Sequence, residues 1–109
     1  MSVKPVIPRR LARQDVEDTV QYCEQEFGGR AAIAFIDALE EAYANIGRFP
    51  AAGSSRYAHA LGLPELRSWS LQTHPVVIFY VERPTHIDVW RVLHAQRDIP
   101  ASLQAPEET

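Results

Sequence analysis

The sequence has little of what metal and cofactor sites usually require. Its single cysteine, Cys23, cannot form an internal disulfide, and it falls on an apolar stripe where a buried thiol is expected. The histidines show neither HxxxH nor His–Cys spacing, so we expect no metal site; they are His59, His74, His86 and His94. No GxGxxG or P-loop pattern occurs, and we expect no cofactor.

Long apolar runs and an excess of positive charge are also absent. No run approaches the ~20 residues of a membrane span, and the first residues lack the apolar core of a secretory signal, so we expect a cytoplasmic protein without membrane contact. A net charge of −3 argues against direct, specific nucleic-acid binding. Residues 9–50 hold five arginines against eight acids, whereas residues 51–100 hold five against four. We therefore expect an acidic partner to meet the C-terminal half.

The N-terminal half of the sequence predicts a strand followed by two helices. The short apolar "KPVIP" segment, bounded by two prolines, is typical of an edge strand. Apolar residues at steps of three and four predict an amphipathic helix over residues 9–27 and a second one ending near Phe49. The glycine pair between them, Gly28 and Gly29, makes the connection short and predicts an antiparallel helical hairpin.

The C-terminal half predicts three strands after a loop. Residues 51–64 have no period and read as a loop with room for one helical turn. Strands are predicted at "LRSWSL", "VVIFYV" and "HIDVWRVLH". The order β-α-α-β-β-β predicts an α+β fold, with the N-terminal strand and helical hairpin packed on one face of a mainly antiparallel sheet. We place one domain at residues 1–100 and a flexible tail at 101–109.

The last two predicted strands are apolar on both faces. A helical hairpin covers one face of a sheet, so the other face is expected to lack a cover within the chain. An exposed apolar face of that extent usually marks a place where another chain binds. The alternative is that the 51–64 loop and the tail fold over it.

Several segments together resemble the RelE/ParE superfamily of bacterial toxins. They are the order of elements, the "FPAAG" junction with its Pro-x-x-Gly signature, the arginine-bearing strand, the apolar "VVIFYV" strand and the closing "IDVWRVLHAQRD". The "RVLH" ending is similar to that of the ParE branch. The resemblance implies a type II toxin that a ParD-like antitoxin neutralises. It also implies a target, which is DNA gyrase in the ParE branch and messenger RNA on the ribosome in the RelE branch.

The two branches differ in the chemistry they need. A ribonuclease needs a base, an acid and cations around the reacting phosphate, and here Arg67 and Arg91 are candidate clamps and His94 a candidate acid or base. The sequence has few of the other residues that the RelE branch uses, because Lys4 is the only lysine and no tyrosine follows Tyr80. We therefore interpret the chain as a gyrase inhibitor that acts by binding, without catalytic residues. A RelE-like ribonuclease and a non-toxic antitoxin-binding protein remain the alternatives.

The "WRVLHAQRD" segment supplies the candidate contact residues. Strict strand alternation places the side chains of Arg91 and His94 on opposite faces, with Arg91 bonded to carbonyls or to an acid such as Asp98. The alternation groups Arg91 with Ile87, Val89 and Leu93, and His94 with Trp90 and Val92. The hypothetical target contacts are Arg67, Arg91, His94 and Arg97. The hypothetical antitoxin anchors are Trp69, Phe79 and Trp90, since large aromatic residues dominate interface energies.

Overall fold

The structure, a computed structural model, describes residues 3–103 and confirms the predicted α+β fold. Its elements in chain order are β1 (Val6–Pro8), α1 (Arg10–Phe27), α2 (Gly29–Arg48), a short 3-10 helix (Pro50–Ala52), α3 (Arg56–Leu61), β2 (Leu66–Ser70), β3 (Val76–Glu82), β4 (Ile87–His94) and α4 (Ile99–Leu103). Gly28 alone connects α1 to α2, at φ 96°, a left-handed conformation that costs a glycine little.

The four strands form one mixed sheet in the order β1-β4-β3-β2. β1 runs parallel to β4, and the other two pairs are antiparallel. The hairpin of α1 and α2 packs on one face, as predicted, because both helices carry their apolar residues on a single stripe. Large side chains at the centre of this core are Phe35, Ile46, Ile78, Tyr80, Ile87 and Val89.

The second face of the sheet is covered within the chain, so the expectation of a bare face is wrong. α3 and α4 pack there and form a second apolar core with the residues Leu66, Val77, Phe79, Val81, Leu93, Ile99 and Leu103. Ile99 and Leu103 are four residues apart and point to one side of α4. Residues 101–103 therefore belong to a packed helix rather than a flexible tail, and residues 104–109 lie outside the described range.

A β-bulge in β4 changes which of its side chains lie on each face of the sheet. Arg91 pairs with Phe79 while Val89 pairs with Tyr80, which leaves Trp90 as the extra residue. Beyond the bulge, Val92 joins the core beneath the hairpin and Leu93 joins the core beneath α4. The predicted grouping of Arg91 with Val89, and of His94 with Trp90, is wrong because it assumed unbroken alternation.

The Pro-x-x-Gly signature docks the 3-10 helix against the sheet. The Tyr80 hydroxyl donates to the Pro50 carbonyl at 2.6 Å, and Arg67 Nη1 donates to the Gly53 carbonyl at 2.9 Å. A Cβ at Gly53 would collide with the Tyr80 hydroxyl. Glycine is thus required at this position because a buried tyrosine approaches the backbone.

We expect Gly53→Ala to lower the free energy of unfolding by about 1–3 kcal/mol, since the added methyl overpacks the contact with Tyr80. In a Tyr80→Phe background the same change should cost less, because the colliding oxygen is gone. Urea unfolding of the single and double variants measures this coupling. Gly29→Ala, where a Cβ meets nothing within 4 Å, is the control and should be neutral. Equal costs of Gly53→Ala in both backgrounds would contradict this explanation.

Candidate functional site

A buried ion pair fixes the end of β4. Arg91 Nε and Nη2 donate to Asp15 Oδ2 and Oδ1, both at 2.8 Å, and the two residues are 9% and 6% exposed. The backbone N–H of Val92 donates to the same carboxylate at 3.0 Å. Arg91 Nη1 donates to the Ser102 carbonyl at 3.0 Å, which ties α4 to the pair. Asp15 thereby connects α1, β4 and, through Arg91, α4.

As expected from the sequence, Arg91 bonds a carbonyl and an acid, but the acid is not Asp98. Its acidic partner is Asp15, whereas Asp98 Oδ1 instead accepts from the Ala101 N–H at 3.3 Å within the first turn of α4. Hydrogen bonds from Arg91 to Asp15 raise the pKa of the guanidinium, against the effect of burial. The side chain is buried, and Nε, Nη1 and Nη2 each donate one hydrogen bond within the fold, which argues against contact of Arg91 with a target or a phosphate.

The other two C-terminal candidates lie together at an accessible groove of about 250 Å³ between α1 and the end of β4, here called the α1–β4 groove. His94 and Arg97 are exposed on its rim, opposite Asp18 and Tyr22 of α1. His94 Nδ1 accepts from the Gln96 N–H at 3.2 Å, so the neutral ring carries its proton on Nε2. Among the described residues, none forms an ion pair or hydrogen bond with the Arg97 side chain, which leaves its donors available.

A larger groove of about 360 Å³, here called the α2–β2 groove, lies on the other flank of the hairpin. Ala38, Glu41, Ala42 and Asn45 of α2 form one wall. The opposite wall and the ends come from Ala52, Gly53, Ser68, Trp69, Ser70, Leu71, Gln72 and Thr73. Trp69 is half-buried there, packed against the core beneath the hairpin. The other two predicted anchors, Phe79 and Trp90, line neither of these two grooves.

The remaining candidates contact other parts of the fold. Phe79 is fully buried, and Tyr57 of α3 covers it edge-on at a centroid distance of 5.2 Å, so it is inaccessible as an anchor. The Trp90 ring packs beneath the Arg9 guanidinium at 4.8 Å, and its Nε1 donates to Asp88 Oδ2 at 3.2 Å. Arg67 is half-buried and holds the Gly53 carbonyl.

Asp88 is a charged centre that sequence reasoning missed. Arg9 donates to both of its carboxylate oxygens at 2.8–2.9 Å, and Arg83 donates to Oδ2 at 3.0–3.1 Å. Burial opposes ionisation of Asp88, but the hydrogen bonds from Arg9 and Arg83 outweigh it and hold the pKa below its ordinary value. All three residues look like ordinary surface charges in the sequence. No periodicity brings them together, since Arg9 and Asp88 are 79 positions apart.

Groups of possible metal ligands and helices of membrane-spanning character are both absent from residues 3–103. No group of three or more His, Cys, Asp or Glu side chains is placed to hold a metal ion in residues 3–103. In the same range, every helix is too short or too polar to cross a membrane.

Comparisons with known proteins agree with the fold. The model of a family described as "ParE toxin of type II toxin-antitoxin system, parDE" matches residues 6–99. Among curated proteins, none matches this sequence. A solved structure described as "Chromosomal ParDE TA system from P. aeruginosa" contains a chain with a TM-score of 0.72 and 15% identity. The match covers 86% of this chain and 98% of that one, which shows a shared fold.

We expect Asp15→Asn to destabilise the protein by about 3 kcal/mol, because it leaves Arg91 buried without a counter-charge. Chemical denaturation measures the change. Asp18→Asn, on the exposed side of the same helix, is the matched control and should stay within ~0.5 kcal/mol of the parent. A cost for Asp15→Asn no larger than that of the control would contradict a structural role for the pair.

Asp88 should make stability fall in acid. Its depressed pKa means that the ionised form contributes stability above the unfolded pKa of about 3.9, and this contribution is lost as the pH falls through the folded pKa. Asp88→Asn should therefore lower stability at neutral pH by about 1–3 kcal/mol and flatten the loss below pH about 4. Thermal unfolding from pH 3 to 7 tests this. A variant curve parallel to that of the parent would show that Asp88 does not carry this dependence.

Proposed function

This chain belongs to the ParE toxin family of type II toxin-antitoxin systems, and from that membership we propose that it inhibits DNA gyrase by binding. A ParD-like antitoxin encoded beside it neutralises it. DNA gyrase and the antitoxin are cytoplasmic proteins, and this chain acts in the cytoplasm. The toxin alone does not bind a specific nucleic-acid sequence, in keeping with its net charge of −3.

The buried ion pair of Arg91 is the observation that supports binding over catalysis. A ribonuclease of the RelE type needs cationic donors that are free to stabilise a developing phosphate charge. Arg91 donates hydrogen bonds to Asp15 and to the Ser102 carbonyl, and Arg67 donates one to the Gly53 carbonyl. His94 is exposed at the rim of the α1–β4 groove, whereas the Arg91 guanidinium is held by Asp15 of α1 and by the Ser102 carbonyl of α4. These residues do not assemble a general acid or base beside a phosphate clamp.

The α1–β4 groove is the surface we assign to the target. His94 and Arg97 supply exposed donors for carboxylates, and Tyr22, 57% exposed, supplies an aromatic surface beside them. Aromatic and arginine side chains at a concave site are typical of residues that dominate binding energy. Tyr22 was not predicted from the sequence, because its place on a helix gives no sign that it adjoins the end of β4.

The α2–β2 groove is the surface we assign to the antitoxin. It is the larger of the two grooves and carries the accessible aromatic anchor Trp69. Its position between a helix and an edge strand suits an extended peptide. The two assigned surfaces lie on different flanks of the hairpin, one against α1 and the other against α2.

Arg97→Ala should weaken inhibition of gyrase supercoiling by about tenfold, because it removes an exposed cation from the target surface. Purified toxin, gyrase and relaxed plasmid provide the assay, and growth arrest on expression without antitoxin provides the cellular readout. Stability and antitoxin affinity should stay unchanged, since the side chain is exposed. Arg30→Ala, an exposed arginine at the start of α2, is the matched control and should inhibit like the parent.

Each alternative function has its own outcome in these assays. Unaffected gyrase together with messenger RNA cut on the ribosome would identify a RelE-like ribonuclease. Normal growth on expression without antitoxin, with antitoxin binding retained, would identify a non-toxic family member. Full inhibition of gyrase by Arg97→Ala would place the target surface elsewhere on the toxin.

A further inference from the structure

The outer edge of β2 offers unpaired backbone groups inside the α2–β2 groove. Ser68 exchanges both of its backbone hydrogen bonds with Ser54 on the outer side, at 2.9 Å each. The Leu71 N–H donates inward to the Val76 carbonyl at 3.0 Å. Because direction alternates along a strand, the N–H and C=O of Ser70 point outward like those of Ser68. Within residues 3–103, no backbone partner meets them there.

The side-chain directions along β2 determine the side-chain directions of a peptide that pairs with it. Ser70 pairs with Val77 and shares its face towards α4, whereas Trp69 and Leu71 point towards α2. A peptide residue that pairs with Ser70 would also point towards α4. The residues immediately before and after it would point into the groove. Two peptide side chains, two positions apart, therefore enter the groove together.

The α2 wall contributes one charge to the groove that Ser70 also lines. One end of the groove lies near the contact of Phe35 with His74, whose rings are 5.6 Å apart, and the other lies at Asn45 and Gly53. Glu41 and its neighbour Ala42 fall between these ends. Glu41 is exposed, and it is the charged member of the lining in the described chain. Its carboxylate has no hydrogen bond or ion pair with any described residue.

We propose that the α2–β2 groove binds an extended antitoxin segment by strand addition at Ser70, and that Glu41 selects a segment with an apolar and a basic side chain two residues apart. The apolar side chain packs against Trp69 and Ala42, and the basic one pairs with Glu41. An acidic side chain in that place is rejected by like charge. This inference rests on the proposed function, because it names the chemistry of the partner.

The surroundings of Glu41 strengthen the selection. Asp37 and Glu40 are exposed on the same helix, so the potential along this flank is negative. Asn45 adds an amide at the end of the groove, able to bond the backbone of an extended peptide. A cationic segment gains from both its local pair and the surrounding field, and the field part weakens in salt.

Charge reversal at Glu41 tests the proposal. Calorimetric titration of Glu41→Arg with the full-length antitoxin from the adjacent gene should show affinity weakened by about tenfold or more, and most strongly at low salt. Glu40→Arg makes the same charge change one residue away, outside the groove lining, and should weaken binding by less than about threefold. Replacing the matching basic residue of the antitoxin by glutamate should restore affinity for Glu41→Arg and weaken affinity for the parent.

Strand addition has a separate test at Ser70. Ser70→Pro removes the outward N–H at an edge position that tolerates proline, and it should weaken antitoxin binding. Ser70→Ala keeps the backbone donor and should bind like the parent. Equal affinity of Ser70→Pro and Ser70→Ala would overturn strand addition at this residue.

A blocking variant separates failure of the inference from failure of the proposed function. Gln72→Trp fills the groove from an exposed position, so its folding should be normal. If it abolishes binding while Glu41→Arg binds fully, the groove holds the antitoxin without charge selection and the inference is wrong. If neither variant changes affinity, the antitoxin binds elsewhere and the inference is again wrong. If the antitoxin does not bind the parent toxin, the proposed function itself fails.

Discussion

The carboxylate of Asp15 holds the C-terminal part of the structure in place. β1 ends where Pro8 pairs with Val89, so the outer edge of β4 beyond that point has no neighbouring strand. Asp15 supplies the missing acceptor to the Val92 N–H and neutralises Arg91. Through the Ser102 carbonyl, Arg91 also fixes α4 over the second face of the sheet. A buried carboxylate with three charge-assisted or backbone donors is stable because its burial cost is offset by those bonds.

Because Arg91 is held by Asp15 and Ser102, other residues of this segment are the ones available to contact partners. The conspicuous arginine of "WRVLHAQRD" stabilises the fold, while the less conspicuous His94 and Arg97 reach an open groove. On the other flank, Trp69 and Glu41 line a groove beside the edge of β2 at Ser70. The chain thus presents two separate concave surfaces of different chemistry, one with the exposed donors of His94 and Arg97 and one with the exposed carboxylate of Glu41.

The sequence predicts the elements well and the contacts between them poorly. Helical periodicity and β-branched runs gave the correct order of elements, because both signals are local. The bulge at Trp90 was missed, since apolar residues on both sides of it fit either register. The role of Asp15 could not be predicted from its own helix, because its partner Arg91 is 76 positions away. The spacing of Ile99 and Leu103 was a usable signal for α4, but proline and polar neighbours obscured it.

Hydrogen exchange of the toxin, measured alone and with each partner, tests the two-surface arrangement most directly. With antitoxin, we expect amide exchange to slow at residues 68–73, including Ser70, and to stay unchanged at residues 92–97. With gyrase, we expect the reverse pattern, with protection at residues 92–97 and on the facing turn of α1. Protection of one and the same segment by both partners, or of neither segment, would contradict the presence of two separate binding surfaces.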